Sequence, residues 1–202
     1  MSAPTPEPAL VRARNLRTVG ALAALFLLPL ALAFYTYYAT DWRPAGHVNH
    51  GTLISPPRPL PAVALARAPG SDGAAAATLR GGWSLVYLGD GACDADCRAA
   101  LLVMRQTRLG LNNDMTRVAR VFLVTSGCCT DSAGGAEAGL AVLDASGSAA
   151  AALVAQFPAA GRAHSIYVVD PLGNLMMSYD ARVDPHGLLA DLRMLLRLSH
   201  IG

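Results

Sequence analysis

The chain has 202 residues, of which 53% are apolar and only 15% charged, and its net charge is +2. That length allows one ordinary domain plus attachments, and the charge is too small to argue for a nucleic-acid partner. All 16 basic residues are arginines, which excludes a lysine nucleophile, a Schiff base and a phosphate-loop lysine.

Residues 1–17 carry no apolar period and read as a disordered tail. Between Thr18 and Thr40 no residue is charged, and the run exceeds the ~20 apolar residues that a bilayer-crossing helix needs. Arg12, Arg14 and Arg17 precede it, so the positive-inside rule keeps the N-terminus in the cytoplasm and exports the rest. Tyr35, Tyr37 and Tyr38 would then lie in the outer interface. Ala31-Leu32-Ala33 also fits a signal-peptide cleavage site. The apolar run continues past it to Ala39, longer than the ~7–15 residues of a signal peptide, and this favours an uncleaved anchor. On either reading the remainder lies where disulfides are permitted.

Residues 41–77 are rich in Pro, Ala and Gly and read as a tether. The segment from Ile54 to Pro61 holds four prolines and cannot be helical. It is expected to be a semi-rigid spacer or a segment draped over the domain. His47, Asn49 and His50 read as polar tether residues, with a metal role for His47 or His50 as the alternative.

From Thr78 the pattern is globular. Trp83–Leu88 reads as a strand buried on both faces, broken by Gly89-Asp90-Gly91. A helix is expected from Asp94 to Leu111, with Cys97, Ala100, Leu101, Met104 and Leu111 on one face and Arg98, Arg105 and Asn112 opposite. Val118–Thr125 is a second buried strand. Leu140–Leu143 reads as a short strand and Ser148–Gln156 as a helix. Ile166–Val169 and Leu175–Tyr179 are strands joined by the tight turn Asp170-Pro171-Leu172-Gly173-Asn174, hence antiparallel. Asp184 and Pro185 open a last helix as N-cap and first helical residue, with Leu188, Leu189, Leu192, Leu195 and Leu196 facing the core. The order β-α-β-(β)-α-β-β-α defines an α/β, thioredoxin-like domain over residues 78–202, behind one membrane helix over 18–40.

The chemistry concentrates on cysteine. Cys93 and Cys97 form a Cys-x-x-x-Cys pair at the strand-to-helix transition, where the partial positive charge and free N–H groups of a helix start favour thiolates. One helical turn apart, they can close a disulfide or pinch one metal ion. A purely stabilising disulfide is the plain alternative. Asp94 and Asp96 flank the pair; their charge opposes thiolate formation and favours a cation. His164 directly precedes the third strand, whose entry in such a fold lies beside the first helix's N-terminus, so an imidazole there could complete a Cys-Cys-His site suited to copper or zinc. Cys128 and Cys129 are adjacent, and neighbouring cysteines pair only with strain; they read as buried thiols, a second ligand pair or an exchange partner. His186 and His200 read as solvated, and Met176-Met177 as hairpin core and edge.

The segment Leu79–Gly89 leading into Cys93-x-x-x-Cys97, with His164-Ser165-Ile166-Tyr167-Val168-Val169-Asp170-Pro171-Leu172-Gly173-Asn174, resembles the Sco/SenC family of copper-handling proteins, and most closely a short, membrane-anchored proteobacterial group. The resemblance covers Thr78 to Leu198. It implies a thioredoxin fold, with copper held by Cys93, Cys97 and His164. It also implies delivery of that copper to the dinuclear copper centre of a cytochrome c oxidase subunit, or reduction of that centre's cysteines, with a thiol reductant as a further partner. A bacterial inner membrane with the C-terminal domain in the periplasm follows from it. The sequence departs from the family pattern at Asp94 and Arg98, where prolines are usual, at Ala163, where an aspartate is common, and in a histidine-to-turn stretch two residues shorter.

Three functions compete. A copper chaperone needs the reduced pair and a third ligand. A thiol–disulfide oxidoreductase needs only Cys93 and Cys97 as a redox pair. A non-enzymatic oxidase-assembly module needs neither. A peroxide reductase ranks low, because the Cys93 loop lacks a neighbouring Thr and Arg arranged for it.

Overall fold

The computed structural model of the chain describes residues 8–40, 49–68, 76–127, 138–183, 185–199 and 201. It divides into two units, Met1–His47 and Val48–Gly202. The first holds α1, Pro8–Ala39. Its stretch Arg14–Ala39 has a mean hydropathy of 2.1 and is long and apolar enough to cross a membrane. The helix begins well before the expected Thr18. Pro8 suits a first helical position, where its missing N–H is not needed, and Leu10, Arg12, Ala13 and Arg14 are strong helix formers. Residues 8–17, expected to be disordered, are therefore helical; residues 1–7 lie outside the described residues.

The second unit runs in the order β1 (Thr52–Pro59), β2 (Leu65–Ala66), β3 (Ala76–Ala77), β4 (Trp83–Asp90), α2 (Ala95–Gly110), β5 (Val118–Ser126), β6 (Leu140–Asp144), α3 (Ser148–Val154), β7 (Ser165–Val169), β8 (Asn174–Asp180) and α4 (Pro185–Leu198). Short 3-10 turns at Asn112–Arg117 and Arg162–His164 lead into β5 and β7. Six strands form one sheet in the order β1-β8-β7-β4-β5-β6, and β2 pairs with β3 apart from it. β4 runs parallel to β5, and β5 parallel to β6. β7 is antiparallel to β4 and to β8. The expected parallel portion and antiparallel hairpin are both present.

Side chains alternate across this sheet. Leu85 and Tyr87 of β4 and Phe122 and Val124 of β5 pack with Ala100, Leu101 and Met104 of α2 and Leu188, Leu192 and Leu196 of α4. Val86 and Leu88, with Val121 and Leu123, pack on the other face with Ala150, Leu153 and Phe157. Covering both faces explains why β4 and β5 read as unbroken apolar runs. The β7–β8 turn is fixed by Asp170, whose Oδ1 accepts from the backbone N–H of Leu172 at 2.9 Å and of Asn174 at 2.8 Å. Gly173 has φ +85°, a conformation that favours glycine.

The Pro-rich segment is draped, not free. β1 pairs antiparallel with β8 through Thr52↔Ser178, Leu53↔Met177, Arg58↔Leu175 and Pro59↔Asn174, with an irregularity between Leu53 and Arg58 where Pro56 and Pro57 lie. Proline cannot donate to a ladder, so such a strand belongs at a sheet edge, and β1 is the edge. β1 and β2, in the stretch read as a tether, thus pair as strands within the same unit as the residues from Thr78 onward. Prolines obscure the period-2 pattern that would mark β1 in the sequence.

Candidate functional site

β4 delivers the cysteine loop. Gly89 leaves room for the Tyr87 ring, since a Cβ there would lie 3.0 Å from Tyr87 Cε1. Asp90 Oδ1 then accepts from the Ala92 N–H at 3.0 Å and turns the chain. Cys93 follows with φ +43°, a left-handed conformation that costs a non-glycine residue about 1–2 kcal/mol. Arg98 holds it there, donating from Nη1 to the Cys93 carbonyl at 2.8 Å. Asp94 is the N-cap of α2, and its Oδ1 accepts from the Cys97 N–H at 2.9 Å.

Cys93 and Cys97 are joined by a disulfide, with their Cα atoms 5.1 Å apart. Both are buried, 3% and 2% exposed. The pair therefore stands oxidised at the start of a helix, inside the core that α2 and α4 make against the sheet.

His164 ends the 3-10 turn before β7. That turn opens at Gly161, whose φ is +69°. His164 Nδ1 lies 3.1 Å from Asp96 Oδ2, in the first turn of α2. The two atoms are not aligned for a hydrogen bond, and Nδ1 is buried with none. The His164 carbonyl accepts from the Ala181 N–H at 2.7 Å. Tyr87 Oη donates to the Ala163 carbonyl at 2.8 Å. Burial, then the negative charges of Asp94, Asp96 and Asp90, push the Tyr87 hydroxyl up to about 12, so it stays a donor. Asp180 is held down at about 2, chiefly by hydrogen bonds from Arg182, with the charge of His164 contributing.

His164 therefore meets the cysteine loop through Asp96. Among the described residues, however, no three His, Cys, Asp or Glu side chains gather in a way that could hold a metal ion. The donor types still suit a soft cation: two sulfurs once reduced, and an imidazole whose buried Nδ1 has no hydrogen bond. His50 is used elsewhere. Its Nδ1 lies 3.0 Å from Asp191 Oδ1, and its backbone N–H donates to Asp191 Oδ2 at 2.8 Å. The Gly51 N–H and Tyr179 Oη donate to the same carboxylate. This cluster borders a cavity of about 380 Å³ between β8 and the start of α4. His186 is exposed, Met177 buried and Met176 half-buried. Cys128, Cys129, His47, Asp184 and His200 lie outside the described residues.

Sequence reasoning missed Tyr87 and Asp191 as polar anchors. No local signal marks either, because their partners lie 76 and 141 residues away. In the sequence alone Asp96 is legible only as a charge flanking the cysteine pair.

A parallel-and-hairpin sheet flanked by helices, with a cysteine pair opening the first of them, defines a thioredoxin-like domain. The chain belongs to the family described as "Transmembrane-like, thioredoxin-like, C-terminal domain", whose model matches residues 83–199. No curated protein matches it in sequence. Among solved structures it is similar to copper-bound ScoI of Arabidopsis thaliana, at 16% identity over 69% of this chain and 99% of that one, with a TM-score of 0.51. Copper-bound yeast Sco1 gives 13% identity, 70% and 96% coverage and a TM-score of 0.52. BsSco, described as a cytochrome c oxidase assembly protein with a disulfide switch, gives 12%, 73% and 99%, and 0.52. At these identities the likeness is one of fold.

Proposed function

We propose that the chain is a membrane-anchored, Sco-like factor that carries copper for assembly of the copper centre of cytochrome c oxidase, with Cys93, Cys97 and His164 as its cargo ligands. α1 would anchor it in a bacterial inner membrane, N-terminus inside, with the second unit in the periplasm. The observation that carries the reading is the cysteine pair at the start of α2, one helical residue from the carboxylate that faces His164. The copper-bound structures of similar fold support it.

The cycle begins with reduction. Because both cysteines are buried, the loop must open first; a partner dithiol then attacks one sulfur, the Cys93–Cys97 bond breaks, and a mixed disulfide forms. The partner's second thiol then displaces the protein sulfur, leaving two protein thiols and an oxidised partner. The helix start favours their thiolates, and thiolates with imidazole are the ligands that soft copper prefers. Asp96 and Asp94 add negative charge that favours a cation.

A second reading is favoured by the disulfide itself and by the ungathered ligands: a thiol–disulfide oxidoreductase that never holds metal. The full chain in detergent, reduced and then titrated with copper, separates the two. Copper carriage predicts one ion per chain, lost in Cys93→Ser and Cys97→Ser and weakened at least roughly tenfold in His164→Ala. A reduced wild-type chain that takes up no copper overturns it. In that case a Cys93–Cys97 potential above about −300 mV, outside the range of inert structural disulfides, supports exchange chemistry.

A further inference from the structure

We infer that Tyr87 is the positioning residue for His164, holding the histidine turn against the cysteine loop through its hydroxyl. The inference rests on the reading of His164 as a ligand, and deepens it.

The turn that carries His164 is weak by itself. It is three residues of 3-10 helix with no side-chain cap, and such turns have poor hydrogen-bond geometry. The imidazole adds no hydrogen bond at Nδ1. Apart from the Asp96 carboxylate 3.1 Å from Nδ1, where the ring sits depends on how the backbone beneath it is held. Beyond the bonds within the turn and those of Arg162, two contacts tie that backbone to the sheet. The Ala181 N–H donates to the His164 carbonyl at 2.7 Å, which ties the turn to the end of β8. Tyr87 Oη donates to the Ala163 carbonyl at 2.8 Å, which ties it to β4.

The second contact relates His164 to the cysteines through the backbone, beside the 3.1 Å approach of its Nδ1 to Asp96. Tyr87 and Cys93 are six residues apart on the same strand-and-loop segment. The Tyr87 ring is only 2% exposed, packs with Phe122 at a centroid distance of 5.7 Å and belongs to the same buried cluster as Cys93 and Cys97. The register Tyr87↔Ile166 brings it beside the first residues of β7. Gly89 makes the space it needs. A rigid, buried phenol thus spans from the segment bearing one ligand pair to the turn bearing the third. A buried tyrosine hydroxyl needs some acceptor; here that acceptor is the carbonyl next to the candidate ligand.

Tyr167 supplies an internal control. It is equally buried and donates through Oη to the Pro158 carbonyl at 3.1 Å, in the cluster on the opposite face of the sheet.

The test compares Tyr87→Phe, Tyr167→Phe and His164→Ala in the full chain in detergent. Phenylalanine keeps the ring packing and removes only the hydroxyl. In the metal-free reduced protein, the His164 ring resonances of Tyr87→Phe should shift and broaden, and carbethoxylation of His164 should accelerate several-fold, while Tyr167→Phe matches wild type. Copper affinity should fall roughly tenfold in Tyr87→Phe, with no further fall when the change is added to His164→Ala. Unaltered His164 resonances in Tyr87→Phe, or equal effects from Tyr167→Phe, overturn the inference. A wild type that binds no copper overturns the copper reading, while the metal-free resonances still decide the role of Tyr87.

Discussion

Asp94 has two effects on the cysteine pair that oppose each other. As N-cap it accepts from the Cys97 N–H, and loss of such a cap costs about 1 kcal/mol. As a charge beside the pair it disfavours thiolates and so favours the disulfide over the reduced form. Asparagine separates the two roles, because it caps about as well as aspartate without the charge. Asp94→Asn should leave stability nearly unchanged and make the pair more oxidising by about 10–20 mV, the equivalent of a surface charge interaction of about 0.5–1 kcal/mol. Asp94→Ala should show the same direction in potential together with the stability loss. Redox titration beside urea denaturation reads both, and an unchanged potential in Asp94→Asn would show that the carboxylate charge does not reach the sulfurs. Cys93 and Cys97 were legible in sequence because spacing and a strand-to-helix junction are local. The approach of His164 to Asp96 was legible only in outline, since it depends on β7 lying next to β4, and the Tyr87 contact was not legible at all.

At the scale of elements, α2 and the β7–β8 hairpin were read nearly to the residue, because amphipathic spacing and an Asp-Pro-x-Gly turn are written locally. β1 was not, since its partner lies far along the chain and its prolines argue against a strand. What secures its entry is Asp191 on α4. This carboxylate is buried yet accepts from the N–H groups of His50 and Gly51 and from Tyr179 Oη. Burial alone would raise its pKa; the hydrogen bonds from Tyr179, His50 and Gly51 outweigh that and hold it below its ordinary 3.8. The same contact pushes the Tyr179 hydroxyl up, burial being the larger cause. A carboxyl depressed in the folded state stabilises fully above its unfolded pKa and loses that contribution as pH falls below it. Asp191→Ala leaves the Gly51 N–H, the Tyr179 hydroxyl and both the backbone and ring nitrogens of His50 without this partner and should cost about 2–4 kcal/mol at pH 7. The gap between wild type and variant should narrow as the pH falls below about 4. Urea denaturation at pH 7 and at pH 3 checks this; a gap that stays constant would mean that the carboxylate's charge contributes nothing.

For the molecule as a whole, the decisive question is where the folded unit begins. Apolar periodicity places the start at Thr78, where unbroken strand patterns appear. The sheet places it before β1, because β8 is otherwise an edge strand with open backbone groups, and Ile54 and Leu60 no longer contribute apolar surface. An uncovered edge invites pairing with other chains, and loss of residues 48–77 also removes His50 and Gly51 from Asp191 and Leu60 and Leu65 from the core cluster on the α3 face. Burying an aliphatic side chain is worth about 1.5–3 kcal/mol, so the two core leucines together contribute about 3–6 kcal/mol, comparable to the low end of the 5–15 kcal/mol by which a domain is stable. A chain cut to 48–202 should therefore fold without α1, as a soluble unit with a cooperative urea transition and the Cys93–Cys97 disulfide intact. A chain cut to 78–202 should aggregate, or show no cooperative transition. Equal transitions for the two would mean that β1 is dispensable packing, and that the site-bearing part of the sheet stands without the strand that follows the anchor in sequence.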